Sequence, residues 1–402
     1  MPKILQDAYI VAATRSPVGR APRGALRTVR PDELLARVIQ SAVAHTPGLD
    51  PATIEDAIIG CARPEGPQGL NVARIAVLLA GLPQSVGGVT INRFCASGLS
   101  AIAMAANRIR TGEADVILAG GTESMSQVPM SGLSPSFSPE IFARDEDVGI
   151  AYGMGLTAEK VASQWHVSRA DQDAFALLSH QRALLAQAGG EFRDEITPID
   201  VVSRDVDFAQ DPAGQHRTRT QVVSMDEGPR ADTSLDALAR LRPVFAPRGS
   251  VTAGNSSQTS DGAGVLILAS ERAVKEQGLT PLARFVSYAI KGVAPEIMGI
   301  GPKEAIPAAL RLAGLTQAQL QWIELNEAFA AQSLAVIRDL GLDPSLVNPL
   351  GGAIALGHPL GATGAIRAAT LVHGMRRREL SYGMVTMCVG TGMGAAGIFE
   401  RV

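Results

Sequence analysis

At 402 residues the chain is long enough for two or three domains, or for one large duplicated core. Hydrophobic residues make up 46% of it, aromatics only 4%, and there are 42 glycines, which suits a closely packed α/β protein whose helices approach through small side chains. Lys plus Arg is 36 against Asp plus Glu 39, a net charge of −3, and this excludes the concentrated basic footprint of a nucleic-acid binder.

The three cysteines, Cys61, Cys95 and Cys388, are odd in number and widely spaced, so neither a disulfide framework nor a zinc site is expected. A reducing compartment, the cytoplasm, is the simpler expectation. Met1 to Tyr9 has no apolar core of signal length, and no run approaches ~18 consecutive apolar residues, so no leader and no membrane span are expected.

In chain order, Ala8 to Ala13 reads as a strand, followed by a turn at Thr14 to Gly19. Pro31-Asp32-Glu33 opens a helix to about Ala44, with proline in a tolerated first-turn position and acids at the positive end. Ile54 to Cys61 is the next strand, and a Pro/Gly loop from Pro64 to Gly69 leads to a helix from about Asn71 to Ala80. A β-branched run from Val89 ends at Phe94. From Ser97 the text turns to Leu99, Ala101, Ile102, Met104, Ala105, Ala106 and Ile109, closing at Arg110-Thr111-Gly112. That is a strand, a tight turn and a helix apolar almost all round, which should be buried. Cys95 falls in the turn, where unpaired N–H groups and the helix dipole favour a thiolate. An inert, buried thiol is the other reading of such a cysteine. Asp115 to Gly121 is a further strand, and the alternation of strand and helix predicts a mainly parallel, covered sheet.

From Thr122 to Gly249 the alternation is lost, with isolated helices at Thr157 to Gln164, Arg169 to Ala188 and Leu235 to Leu241. This is an inserted, loop-rich region able to reach over the core. The α/β text resumes at Val251 to Asn255 and Gly264 to Leu268, and the last third repeats the first. Leu320 to Asn326 answers Ile54 to Cys61, Asn348 to Met375 answers Asn92 to Arg110, and Gly383 to Gly390 answers Ala114 to Gly121, at offsets near 266, 256 and 268. The expected division is 1–121 with 250–272 as one half, 122–249 as the insertion and 273–402 as the other half. A duplicated fold places the turns of both halves at a shared seam, where α/β proteins bind ligands.

Four stretches at strand ends carry the chemistry: Asn92 to Gly98, Asn326 to Ala330, Gly351 to Gly361 and Cys388 to Gly394. His358, held before Pro359 in a glycine-flanked turn, is either structural or a base that takes the Cys95 proton. Cys388 ends an apolar strand and enters Gly390-Thr391-Gly392-Met393-Gly394, whose backbone can aim N–H groups at an anion. Two thiols and an imidazole at turns suggest acyl chemistry.

These four stretches resemble those of the thiolases, most closely the degradative 3-ketoacyl-CoA thiolases, and the resemblance covers essentially the whole chain, including Ser250 to Gly264 and Met298 to Pro307. It implies two βαβαβαββ halves forming a five-layered α-β-α-β-α core with an inserted loop domain. It implies Cys95 as acyl-accepting nucleophile, His358 as its base, and Cys388 as proton donor and acceptor for the acetyl-CoA carbanion. Asn326 would hold a water that, with His358, binds the thioester oxygen, and the N–H groups of Cys95 and Gly390 would form a second oxyanion hole. For coenzyme A, the co-substrate, it points to Ser257, Ala253, Met154 and Phe329 along the pantetheine arm, and to Arg230 and Phe245 near the nucleotide. No metal or resident cofactor is implied. A homodimer or homotetramer is, and a further β-oxidation subunit is compatible.

Short-chain acetoacetyl-CoA thiolases usually carry histidine before the methionine matched by Met154, and here that position is Gly153. The rival within enzymes is therefore an acetoacetyl-CoA thiolase running toward condensation. Asn326-Glu327 argues against a ketoacyl synthase, and the presence of Cys95, His358 and Cys388 together argues against an inactive relative.

Overall fold

The computed structural model describes residues 5–206 and 216–402; residues 1–4 of the first expected half and 207–215 of the expected insertion lie outside the described residues. The chain begins β1 (Ala8–Arg15), β2 (Gly19–Arg20), α1 (Pro31–Ala44), β3 (Asp56–Gly60), α2 (Val72–Leu79), β4 (Val89–Ile91), α3 (Ser97–Arg110) and β5 (Val116–Ser124). Helices α4 (Met154–Gln164), α5 (Arg169–Ala188) and α6 (Leu235–Ala239), with the antiparallel pair β6 (Ile199–Val206) and β7 (His216–Val223), separate β5 from β8 (Ser260–Ser270). Then come α7 (Glu271–Gln277), β9 (Ala283–Gly292), α8 (Gly301–Ala313), β10 (Trp322–Leu325), α9 (Ala330–Leu340), α10 (Ala353–Leu356), α11 (Thr363–Arg377), β11 (Tyr382–Val389) and β12 (Met393–Arg401).

Local chemistry sets the helix ends. α1 opens with Pro31 and places Asp32 and Glu33 in its first turn. The Ser168 hydroxyl accepts from Asp171 N at 3.1 Å to cap α5. α8 stops at Gly314, whose φ of 67° is open to glycine at little cost.

The strand order β10-β11-β12-β9-β1-β8-β5-β3-β4 contains the same pattern twice. In the first half β1 pairs antiparallel with β8, β8 antiparallel with β5, β5 parallel with β3 and β3 parallel with β4. In the second, β9, β12, β11 and β10 pair in the same senses, and a parallel bridge from Ile323 to Val347 stands where β4 would. Tyr9–Arg284 and Ile10–Ala283 join the halves. The expected mainly parallel sheet is thus corrected to a mixed one. β12 returns by a tight turn and β8 after the inserted stretch, both antiparallel to their neighbours, and both are covered on two faces, so their unbroken apolar text carries no sign of direction.

Strand alternation builds the layers. On β5, Val116 and Leu118 face an outer core with Leu35 and Val38 of α1 and Val72 of α2, while Ile117 and Ala119 face α3 and α11. On the second half of the sheet, Met384, Ala396 and Ile398 face α8 and α9, while Val385, Met387 and Phe399 face the same α3 and α11. Helices, sheet, two central helices, sheet and helices make the five layers. Leu99, Ile102 and Ile109 of α3 are fully buried in the middle, each contributing ~1.5–3 kcal/mol of apolar burial. No helix among the described residues is long and apolar enough to cross a membrane.

Candidate active site

Both central helices present their N-termini to one place. Cys95 lies in the 3-10 turn Phe94–Ala96 immediately before α3. Asn92 Oδ1 accepts from Phe94 N at 2.8 Å, and Ser97 Oγ accepts from Arg93 N at 2.8 Å while donating to Phe94 O at 2.7 Å. Phe94 itself has φ 43°, an uncommon value for a bulky residue. His358 lies between α10 and α11, its N–H donating to Gln258 O at 3.2 Å and Ser260 Oγ at 3.1 Å. A Cβ on Gly98 would stand 2.9 Å from both Gly361 O and Ala365 N, so the two turns are as close as backbones allow.

The buried Glu123 carboxylate, at the end of β5, ties the loops beneath. It accepts from Ala62 N at 2.7 Å, Arg63 N at 3.1 Å and Gly361 N at 2.8 Å. β11 delivers Cys388 and then the tight turn to β12, where Thr391 has φ 70°, an outlier for a β-branched residue. Such strain costs of order 1–3 kcal/mol and collects at functional sites.

The Cys95 thiol is pushed up to about 11 by burial, which outweighs the Gly390 and Cys95 backbone N–H groups and the Arg63 charge that pull it down. The helix-end N–H groups that favour a thiolate are present, and burial outweighs them, so Cys95 rests as a thiol. Burial, and then the neighbouring Cys95, push the Cys388 thiol far up as well. His358 is pushed down to about 3 by burial and then by Arg367, so the imidazole is neutral. Its Nδ1 lies 2.6 Å from Thr363 Oγ1, and that hydroxyl donates to Pro359 O at 3.1 Å. With its proton so committed, Thr363 accepts from Nδ1–H, and Nε2 keeps the lone pair. Asn326 Nδ2 donates to Nε2 at 3.3 Å. The Asn326 N–H donates to Thr386 O at 2.9 Å, which sets the residue beside the strand that carries Cys388. The buried Asn326 Oδ1 has no partner, an acceptor a water would satisfy.

A cavity of about 600 Å³ is lined by Cys95, Gly390, Met154 and Leu360, with a roof from the stretch between β5 and β8; His358, Asn326 and Cys388 do not line it. Met154, Phe329 and Cys388 share one apolar cluster with Met298. Phe245 meets Phe329 edge-on at 6.0 Å and lies against Gly155. Ser257 N donates to Ala328 O at 2.9 Å, on the same side, and Ala253 is exposed in the same loop. Arg230 stands apart: its side chain is exposed, and its N–H donates to His180 Nδ1 at 3.2 Å. Sequence reasoning missed Glu123 and Thr363. The first signals itself only as a carboxylate near the end of a strand that is apolar up to Gly121, the second as a hydroxyl one short turn beyond His358-Pro359.

Family models for the thiolase N-terminal domain and the thiolase C-terminal domain match residues 8–272 and 279–401. The chain is 50% identical over 396 residues to a 3-ketoacyl-CoA thiolase of Bacillus subtilis, covering 98% of this chain and 100% of that one. It is 46% identical over 413 residues to a beta-ketoadipyl-CoA thiolase of Pseudomonas aeruginosa, covering 99% and 100%. The crystal structure of human mitochondrial 3-ketoacyl-CoA thiolase superposes with a TM-score of 0.88 at 39% identity, covering 99% of this chain and 100% of that one. The chain belongs to the thiolase family, and is an acyltransferase of that fold.

Proposed function

We propose that this thiolase is a 3-ketoacyl-CoA thiolase of fatty acid β-oxidation, cleaving 3-ketoacyl-CoA with coenzyme A to acetyl-CoA and a shortened acyl-CoA. The observation that carries the reading is that Cys95 and Gly390 line one cavity, with the buried Cys388 thiol close enough to Cys95 to be pushed up by it and the turn bearing His358 packed against the start of the Cys95 helix.

In the first stage His358 Nε2 takes the Cys95 proton as the sulfur attacks carbon 3. Because both groups rest uncharged, transfer and attack proceed together, and the Cys95 and Gly390 N–H groups receive the charge that develops on oxygen. Such donors are worth roughly 3 kcal/mol each. Breaking the bond between carbons 2 and 3 sends its electron pair into the acetyl-CoA enolate, whose oxygen is held by the His358 N–H and a water on Asn326. Cys388 protonates carbon 2, and acetyl-CoA leaves.

In the second stage the Cys388 thiolate removes the proton of the incoming coenzyme A thiol. That sulfur attacks the acyl-Cys95 carbonyl, Cys95 departs, and it recovers its proton from His358. Two thiol stages in one pocket give ping-pong kinetics. Coenzyme A runs along Met154, Phe329, Phe245, Ser257 and Ala253, with Arg230 toward the nucleotide. The same reading has no resident cofactor and makes the assembly a homodimer or homotetramer.

Condensation of acetyl-CoA is the second reading. The open space beside Gly153, where a Cβ would meet nothing within 4 Å, favours a longer acyl chain instead. Thiolysis of 3-ketoacyl-CoAs from four carbons to long chains tests this. Activity should extend past acetoacetyl-CoA. Cys95→Ala should abolish both turnover and the acyl-enzyme mass shift, and Cys388→Ala should lower turnover by about 10²–10⁴-fold. Confinement to the four-carbon substrate would favour the second reading; no cleavage of any would remove both.

A further inference from the structure

We propose that Glu123 is a positioning residue for the Cys95–His358 pair: one buried carboxylate fixes the turn that carries the thiol against the turn that carries the imidazole. The inference rests on the thiolase reading and adds to its site a residue that touches no substrate.

Glu123 stands near the end of β5, and four N–H donors from the loop after β3 and the turn after His358 converge on its two oxygens. Oε2 accepts from both Ala62 N, at 2.7 Å, and Gly361 N, at 2.8 Å, so a single atom bridges the two segments. Oε1 accepts from Arg63 N at 3.1 Å and from Gln68 Nε2 at 2.6 Å. Burial pushes the proton affinity of the carboxyl up, and these donors pull it back. The bridge continues to the nucleophile. Ala62 O accepts from Asn92 Nδ2 at 3.1 Å, and Asn92 Oδ1 accepts from Phe94 N at 2.8 Å, one residue before Cys95.

Only an ionised carboxylate offers acceptors to all four donors. A glutamine of the same shape turns one oxygen into an NH₂, so at least one pair of N–H groups would face another donor and the two turns would part. A Cβ on Gly361 would stand 2.7 Å from Ala62 N, so the backbones around the carboxylate already touch and a shift at one reaches the other. A displacement of about 1 Å between reacting groups can cost about 10²-fold in rate.

Alkylation of Cys95 by iodoacetamide reads the pairing without any substrate. With the thiol at about 11 and the imidazole at about 3, transfer between the two neutral groups is independent of pH from about 6 to about 9. Attack without the base needs free thiolate, whose population rises about tenfold per pH unit over that range. Wild-type alkylation should therefore be level, and His358→Asn should rise about tenfold per unit. Glu123→Gln should follow His358→Asn, with kcat for thiolysis down about 10²-fold and KM little changed. Asn92 is exposed, so Asn92→Ala leaves the core intact; it should slow alkylation at pH 7 about 10-fold. A folded Glu123→Gln protein with a level profile would overturn the inference, because the carboxylate would then serve the fold alone. Where Glu123→Gln does not fold, alkylation of Asn92→Ala at the wild-type rate would overturn it. A rising wild-type profile would overturn it too, and thiolysis by the same protein would leave the thiolase reading standing. A level wild-type profile without cleavage of any 3-ketoacyl-CoA would instead remove the thiolase reading and leave the pairing in place.

Discussion

Thr363→Val tests whether the protonated nitrogen of His358 is set by a single hydroxyl. Valine keeps the branched shape at the start of α11 but removes the oxygen that lies 2.6 Å from Nδ1. An Nδ1–H left buried without an acceptor costs about 1–3 kcal/mol, which is about 5- to 150-fold in the ratio of the two neutral tautomers. The proton then moves toward Nε2, the atom that must receive the Cys95 proton. We expect kcat for thiolysis to fall by roughly 10- to 100-fold, with KM little changed because Thr363 touches no substrate. Alkylation of Cys95 by iodoacetamide should slow in proportion, and the imidazole ¹⁵N shifts of His358 should report the tautomer directly. Loss of the helix-end bond to Pro359 O should also cost about 0.5–1.5 kcal/mol of stability, and Thr363→Ser should restore both properties. A folded Thr363→Val protein with wild-type kcat would refute the assignment.

Two further outcomes follow from the same site. His358, whose folded value of about 3 lies below the ordinary 6.5, stabilises the fold above pH 6.5 and loses that contribution as pH falls toward 3, because the unfolded chain binds the proton more readily. At pH 5 the loss amounts to about 2 kcal/mol for this one group, so denaturant unfolding should show a shallower acid limb for His358→Asn than for the wild type; equal slopes would contradict the burial argument. Gly98→Ala places a methyl 2.9 Å from Gly361 O and Ala365 N, so the turn bearing His358 must shift. It should cost about 1–3 kcal/mol and depress kcat further than stability alone explains, measured by urea unfolding beside thiolysis.

What was readable in one dimension was whatever is local along the chain. The run from Val89 to Arg110 specifies strand, turn and buried helix through spacings of a few residues, and the structure has β4, the Cys95 turn and α3 there. The repeat was readable too, since β3 and β10, and β5 and β11, preserve their apolar text. The pair β6 and β7 was not, because its alternation is broken by polar residues on both strands. Nor was strand direction, since a strand covered on both faces reads alike either way.

The amino-acid order by itself determined the elements, their duplication and the residues with reactive atoms, because these depend on chemistry and period within about ten positions. Tertiary structure alone decided that Cys95 rests as a thiol and that Thr363 sets the imidazole proton. Protonation and pairing depend on everything that excludes water around a group, and that shell is drawn here from β3, β5, α3, α11 and β11 at once.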